Sequence, residues 1–174
     1  LCALIASLLS AVPALFADCD IVPLPQRYKE SGPALANITK LPLKTEKVKT
    51  LKGVPERAMA EAYRISVSPT AIKVEYTTEQ GKFRALETVK QLRASGLKKS
   101  CKILDWPAYP MRGFMMDCGR SYIPLEDLKE IVEFCAAFKI NIFHWHLTEN
   151  QVWRTESRVH PELNEKRNNT RDEG

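Results

Sequence analysis

The sequence predicts an α/β fold in two parts: a small antiparallel sheet covered by a helix, and then the beginning of a parallel sheet. Three observations support this prediction. Residues 61–74 contain two segments that alternate apolar and polar side chains, as half-buried strands do. Residues 80–95 repeat apolar side chains at helical spacing. Residues 113–147 then read as strand, helix and strand, which is the pattern of a βαβ unit.

The first part of the chain is predicted to contain two half-buried strands followed by a helix. The strands lie over residues 61–68 and 71–74. The helix over residues 80–95 is expected to cover the sheet with four apolar side chains, namely Phe83, Leu86, Val89 and Leu92. An antiparallel sheet with one helix on one face is therefore expected.

The second part is predicted to be a βαβ unit with strands over residues 113–118 and 141–147. The intervening helix has Pro124 at its first position, with Glu126 and Asp127 beside the positive end of the helix dipole. One apolar face is expected, formed by Leu125, Leu128, Ile131, Val132, Cys135 and Phe138. The crossover favours a parallel sheet covered by helices, and both a barrel and a doubly wound sheet satisfy it.

A series of motifs selects between these architectures. In order they are Asp105-Trp106-Pro107, Tyr109-Pro110-Met111-Arg112-Gly113, Met116-Asp117-Cys118-Gly119-Arg120, Lys139-Ile140-Asn141 and His144-Trp145-His146-Leu147-Thr148. Together they resemble the start of the catalytic domain of glycoside hydrolase family 20, which contains the β-N-acetylhexosaminidases. Residues 21–26, 61–74 and 86–92 are similar to the small domain that precedes the barrel in that family, and by this resemblance residues 61–74 form its central hairpin. The resemblance covers most of the chain, from about Ile21 to Leu163.

The resemblance implies a specific domain organisation. Residues 18–105 would form the N-terminal family 20 α/β domain, and residues 106–174 the first part of a (β/α)8 TIM barrel. Such a barrel needs roughly 250 residues by itself, whereas the sequence has 174 residues in all. We therefore expect an incomplete barrel in a truncated polypeptide.

The resemblance also implies an activity, the exo-hydrolysis of terminal N-acetyl-hexosamine residues in glycans containing N-acetylglucosamine or N-acetylgalactosamine. In this retaining mechanism the 2-acetamido oxygen of the substrate attacks the anomeric carbon, and an adjacent Asp-Glu pair assists. The family carries that pair in a G-G-D-E-like motif, which this sequence lacks; Asp172-Glu173 lies in a charged tail without the glycines. No catalytic residue and no cofactor are assigned, and the chain alone is expected to be inactive.

Four residues are predicted to belong to the substrate site. By the resemblance, Arg120 binds hydroxyls of the terminal sugar, a role that suits the fixed donor geometry of a guanidinium. The resemblance also implies that three residues position the groups that contact the substrate, without contacting it themselves: Glu149, Asp117 and His146. The family commonly has two aspartates where this chain has Glu149-Asn150, so the supporting role carries over to Glu149 and not to Asn150. Arg112, at the opposite end of its strand, is expected to be structural.

Two other function classes remain open. His144 and His146 project to the same side of their strand, and such a pair opens the metal site of amidohydrolase barrels. Against this reading, that pair belongs on the first barrel strand, whereas here a strand bearing Arg120 precedes it. We therefore favour a structural role, in which both histidines pack in the layered interior of the barrel beside Trp145, and no metal is assigned. The third class is a non-catalytic carbohydrate-binding fragment.

Charge and targeting features complete the prediction. The net charge is +5, but basic residues are dispersed among acidic ones in the sequence, so a nucleic-acid partner is not expected. Residues 1–17 resemble a signal peptide, and Pro13 interrupts an apolar run that is short for a bilayer. We therefore expect export to a periplasmic, extracellular or lysosome-like compartment and no stable membrane span. Cys118 and Cys135 are expected to be buried free thiols.

Overall fold

The computed structural model describes residues 21–149 and 152–165. The predicted signal peptide, Asn150 and the acidic pair at 172–173 lie outside the described residues. The chain divides into two compact units, with the division between Ala108 and Tyr109. Among the described residues, no helix has both the length and the apolar character needed to cross a membrane.

The first unit contains a five-stranded sheet. Its strands are β1 (Arg27–Ala34), β2 (Leu43–Lys47), β3 (Tyr63–Val67), β4 (Ile72–Tyr76) and β5 (Lys99–Asp105), in the spatial order β1-β5-β3-β4-β2. The predicted hairpin is confirmed as β3 and β4, in which Tyr63 lies opposite Tyr76. Neighbouring strands are antiparallel except at one edge, where β2 runs parallel to β4.

Helix α1 (Glu79–Ala94) covers one face of this sheet, and Thr78 caps it by accepting a hydrogen bond from the backbone N–H of Gly81. Val89 and Leu92 are buried as predicted, but Phe83 is 45% exposed. The reason is helical geometry: residues nine positions apart are two and a half turns apart, so Phe83 and Leu92 lie on opposite sides. Ala85 and Thr88 complete the buried side instead.

A buried polar network joins α1 to the sheet. The Tyr63 hydroxyl donates to Asp105 Oδ2 at 2.7 Å and lies 2.6 Å from Thr88 Oγ1. The other oxygen of Asp105, Oδ1, accepts a hydrogen bond from the backbone N–H of Gln26. Because these groups are buried, their hydrogen bonds offset the cost of removing them from water. The network fixes β5 at the point where the chain leaves the small sheet.

The second unit confirms the predicted βαβ pattern. Strands β6 (Gly113–Asp117) and β7 (Ile142–His146) are parallel, with Gly113 opposite Ile142 and Asp117 opposite His146. Helix α2 (Leu125–Ala137) connects them, and Pro124 immediately precedes its first residue.

The apolar face of α2 is only partly covered. Leu128 and Cys135 are buried, at 7% and 5% exposure, whereas Leu125 and Val132 are 57% and 47% exposed. The predicted face spans about 140° of the helix circumference. Its centre is buried, whereas the flank that carries Leu125 and Val132 remains accessible among the described residues.

Arg112 and Asn141 fasten the amino ends of the two parallel strands to each other. The Arg112 backbone N–H donates to Asn141 Oδ1 at 2.9 Å, and its Nε donates to the Lys139 carbonyl at 2.8 Å. The Asn141 amide donates in turn to the Pro110 carbonyl. These bonds give Arg112 the structural position that the sequence predicted, at the end of the sheet opposite to Arg120.

Candidate functional site

The carboxyl ends of β6 and β7 bring the predicted site residues together. Asp117 ends β6 and lies directly opposite His146, which ends β7. Side chains alternate along a strand, so Asp117 and His146 share one sheet face with Met115 and His144. Functional groups of parallel α/β sheets collect at this end of the strands. The candidate site is therefore built on two rigid elements and the segments that follow them.

Arg120 is held by two carboxylates. Its Nε lies 3.0 Å from Asp117 Oδ2 and 3.6 Å from Glu149 Oε2, while its backbone N–H donates to Asp117 Oδ1 at 3.0 Å. The acids are mostly covered, but the Arg120 side chain is 70% exposed. The carboxylates thus orient a cation that remains accessible to a ligand.

The segment after β7 returns to β6 and positions Glu149. The Glu149 backbone N–H donates to the Val152 carbonyl at 3.0 Å. Arg154 then donates from its backbone N–H to the Leu147 carbonyl and from Nε to the Cys118 carbonyl at 2.9 Å. Arg154 was not among the predicted site residues.

Gly119 was also absent from the predicted site. A Cβ atom at this position would lie 3.2 Å from Asp117 Oδ1, 3.3 Å from Glu149 Cγ and 3.6 Å from His146 Cδ2. The backbone of Gly119 therefore packs directly against three of the predicted site residues. A side chain here would have to displace part of the cluster.

Asp117, His146 and Glu149 each offer a ligand atom, and these atoms lie within 4.8 Å of one another. This spacing is compatible with a metal ion, but Arg120 already supplies a positive partner to both carboxylates. The His-x-His pair forms a separate contact, with ring centroids 6.0 Å apart in an edge-to-face arrangement. The geometry therefore groups His146 with the acids and Arg120 and leaves His144 outside this group.

A hollow of about 180 Å³ lies next to the carboxyl ends of the strands. Its wall includes Cys118, Trp145 and Leu128, and the Trp145 indole N–H points to Cys118 Sγ at 3.3 Å. Trp145 belongs to the opposite sheet face from His144 and His146, because neighbouring strand residues alternate. The hollow is thus mainly apolar and distinct from the cluster around Arg120.

Comparisons with known proteins agree with this architecture. Residues 23–106 match "Glycosyl hydrolase family 20, domain 2", and residues 109–174 match "Glycosyl hydrolase family 20, catalytic domain". A beta-hexosaminidase of Porphyromonas gingivalis is 35% identical over 125 residues, covering 66% of this chain and 16% of that protein. A beta-hexosaminidase of Akkermansia muciniphila is 35% identical over 130 residues, covering 70% of this chain and 26% of that protein.

The fold comparison gives the same result. A crystal structure of a beta-N-acetylhexosaminidase superposes with a TM-score of 0.69 and 33% identity, covering 83% of this chain and 30% of that one. The chain therefore spans less than a third of the length of each of these relatives. Two consecutive domains of one family match nearly all of the described residues. The chain belongs to glycoside hydrolase family 20, with the small sheet domain followed by the start of the catalytic domain.

Proposed function

We propose that this chain is part of an exo-β-N-acetylhexosaminidase, which removes terminal N-acetylglucosamine or N-acetylgalactosamine residues from glycans. The observation that carries the proposal is Arg120, accessible at the carboxyl end of β6 and held by Asp117 and Glu149. Family membership and the names of the relatives support the same activity.

In this proposal Arg120 binds hydroxyl groups of the terminal sugar. A guanidinium offers several N–H donors in one plane, which matches neighbouring hydroxyl oxygens at fixed spacing. Asp117 and Glu149 both form ion pairs with Nε of Arg120, and these contacts restrict the rotation of the Arg120 side chain. His146 lies beside both acids and completes their surroundings. Arg120 is the substrate-binding group, and the other three residues position it.

We further propose that β6, α2 and β7 begin a (β/α)8 barrel. In such a barrel each helix contacts the sheet through its centre and the adjacent helices through its flanks. The exposure of α2 follows this division, since Leu128 is buried while Leu125 and Val132 are accessible. Additional strands and helices would cover this accessible flank.

Cleavage of the glycosidic bond requires an adjacent Asp-Glu pair, and the sequence has no such pair preceded by glycine at the end of a predicted strand. The proposed mechanism uses an Asp to orient the substrate acetamido group and a Glu of raised pKa to protonate the leaving oxygen. The 174 residues contain no Gly-Asp-Glu motif. We expect the purified chain to show no turnover of aryl N-acetyl-β-glucosaminides or galactosaminides, and measurable turnover would contradict this part of the proposal.

Binding tests the role of Arg120 without requiring turnover. Ligand-observed NMR of the chain with N-acetylglucosamine should show weak binding that Arg120→Ala abolishes. Arg158→Ala removes the same charge from another exposed position and should leave the signal unchanged. Equal binding by both variants would exclude Arg120 as the sugar-binding group.

Sequencing of the flanking DNA adds an independent test. An in-frame Gly-Asp-Glu motif downstream supports the enzyme, whereas a genuine immediate stop supports a non-catalytic carbohydrate-binding product.

A metal-dependent hydrolase is the competing function, and the spacing of Asp117, His146 and Glu149 is the observation that favours it. Elemental analysis after exchange into zinc-containing and then chelator-free buffer separates the two readings. Stoichiometric zinc that disappears in His146→Ala would support the metal site. Sugar binding that depends on Arg120 without bound metal would support the glycosidase.

The N-terminal segment supports a proposal about location. We propose that residues 1–17 direct export and are removed near Ala17, because the segment is apolar and ends in small residues. N-terminal sequencing of protein secreted by an expression host tests this. A mature N-terminus at Asp18 is expected, and retention of the intact segment on cell-associated protein would contradict it.

A further inference from the structure

The outer face of the small sheet, opposite to α1, carries a row of lysines. Strand register aligns one residue from each of the five strands in a line across the sheet, in the order Lys29, Lys102, Ser66, Lys73 and Lys44. Neighbouring strands are about 4.8 Å apart, so the row extends for about 19 Å. Its four lysines come from four separate strands, which is why they look dispersed in the sequence.

A second row on the same face contains the nearby acids. Glu75 pairs with Arg64 at 3.2 Å and lies 3.4 Å from Lys73, and Glu46 pairs with Lys73 at 2.8 Å. The hydrogen bond that Lys73 donates to Glu46 and the negative charge of Glu75 raise the pKa of Lys73 above its ordinary value. Both acids therefore neutralise charge at Lys73, near one end of the lysine row.

The positive charges of the other three lysines are not balanced by nearby carboxylates of the described residues. Lys29 and Lys102 face each other directly across β1 and β5. Among the described residues, no carboxylate lies within ion-pairing distance of Lys29, Lys102 or Lys44. Like charges placed directly opposite each other on a sheet are destabilising. Directly opposed residues have Cβ atoms about 5 Å apart, which is within the screening length of about 8 Å at physiological ionic strength, so an anion bound at this pair would relieve the repulsion.

We propose that this face is a docking surface for an anionic polysaccharide that bears carboxylate or sulfate groups. A lysine ammonium is a compact point charge that suits single anionic groups spaced along a polymer. Single-stranded nucleic acids need aromatic side chains on which bases stack, and the outward-facing residues of β1–β5 include no aromatic side chain. The choice of a glycan rests on the proposed function, because it would keep an acidic substrate polymer near the hydrolase.

Chondroitin sulfate is a suitable probe, and binding is measured by calorimetry on the full 174-residue chain at two salt concentrations. The test variant is Lys29→Gln/Lys102→Gln. The control, Lys82→Gln/Lys90→Gln, removes the same charge from α1 on the opposite side of the sheet. The test variant should bind about tenfold more weakly at physiological salt and show a shallower salt dependence, and the control should change binding less than about twofold.

Several results would overturn the proposal. These are unchanged binding by the test variant, equal losses in test and control, or tighter binding of duplex DNA or of anionic phospholipid vesicles than of chondroitin sulfate. Uncharged dextran should not bind, and dextran binding equal to that of chondroitin sulfate would also count against it. If circular dichroism shows that the double variant is unfolded, Lys44→Gln gives the test at the opposite end of the row. Because the readout is binding, loss of the hexosaminidase proposal would leave this result separately interpretable.

Discussion

Asp117 illustrates how a single charged residue is accommodated at the end of an apolar strand. One of its oxygens accepts a hydrogen bond from the Arg120 backbone N–H at 3.0 Å, and the other lies 3.0 Å from Arg120 Nε in an ion pair. A hydrogen bond and an ion pair of this kind offset the desolvation of a partly buried carboxylate. The same contacts aim Arg120, so one residue satisfies a folding requirement and prepares a binding group.

Cys135 provides a prediction at the residue scale. Burial raises the pKa of its thiol, and the folded chain therefore keeps the proton at pH values where the unfolded chain loses it. The contribution of this group to stability accordingly falls as pH rises above the ordinary thiol pKa. We expect iodoacetamide at pH 8 to modify Cys135 at least about tenfold more slowly in the native chain than in guanidinium, as measured by peptide mass spectrometry.

The control for this experiment is a thiol introduced by Ser121→Cys, since Ser121 is exposed in the same unit. That thiol should react at nearly the same rate with and without denaturant. If native Cys135 reacts as fast as the thiol at position 121, the buried position of Cys135 on α2 is wrong.

The sequence predicted four residues of the candidate site from the family resemblance together with their places at the ends of predicted strands. The structure brings Asp117, Arg120, His146 and Glu149 together, and their roles stay predictions. Arg154 and Gly119 were missed because their importance depends on contacts between distant segments. Arg154 reaches the carbonyl of Cys118, 36 residues earlier, and no local pattern encodes that bond.

Helix faces were harder to predict than helix positions. The span of α1 agrees with the prediction to within one residue at each end, but Phe83 lies on the exposed side. A spacing of three residues falls short of a full turn, and the shortfall accumulates along the helix. For α2 the predicted face is buried at its centre, whereas the exposure of the flank that carries Leu125 and Val132 depends on neighbours that a local sequence pattern does not specify.

The contact between α1 and the sheet leads to a prediction about Tyr63. Its hydroxyl bonds Asp105 of β5 and Thr88 of α1 in the buried interior. Tyr63→Phe removes both bonds without changing the ring, and the free energy of unfolding should fall by about 1–3 kcal/mol. Urea denaturation followed by circular dichroism measures this change. Tyr76→Phe is the matched control on the paired strand, and a loss as large in that variant would contradict the assignment.

Gly81 gives a second prediction at the scale of elements. A Cβ atom there would lie 2.6 Å from the backbone oxygen of Ala62, so α1 would have to move away from the segment before β3. Gly81→Ala should therefore destabilise the chain by about 1–2 kcal/mol in thermal or urea unfolding, because overpacking exceeds the gain in helix propensity. Gly113→Ala, whose nearest contacts are at 4.0 Å, should be close to neutral. A stabilised Gly81→Ala variant would show that the close approach is absent.

At the scale of the whole molecule, the two units differ in how completely their strands are paired and covered. In the first unit β5, β3 and β4 each have a strand on both sides, and α1 buries their inner face. In the second unit β6 and β7 pair with each other, and large apolar side chains such as Met115, Ile142 and Trp145 are exposed among the described residues. Side chains alternate between the two faces of the first sheet, so its buried apolar residues lie on the inner face and the lysines of the row lie on the outer face.

This difference predicts unequal protection against hydrogen exchange. Backbone amides open locally where few buried apolar contacts hold the segment. We expect amides within β3 and β5 to exchange at least about tenfold more slowly than amides within β6 and β7 of the 174-residue chain. Peptide-resolved deuterium uptake, followed by mass spectrometry, measures both sets in one sample. The amides of α1 serve as an internal reference, because this helix packs on the covered sheet. Equal protection of all four strands, together with a single sharp melting transition, would show that the second unit unfolds as cooperatively as the first. That result would contradict the proposal that further barrel elements cover the accessible flank of α2.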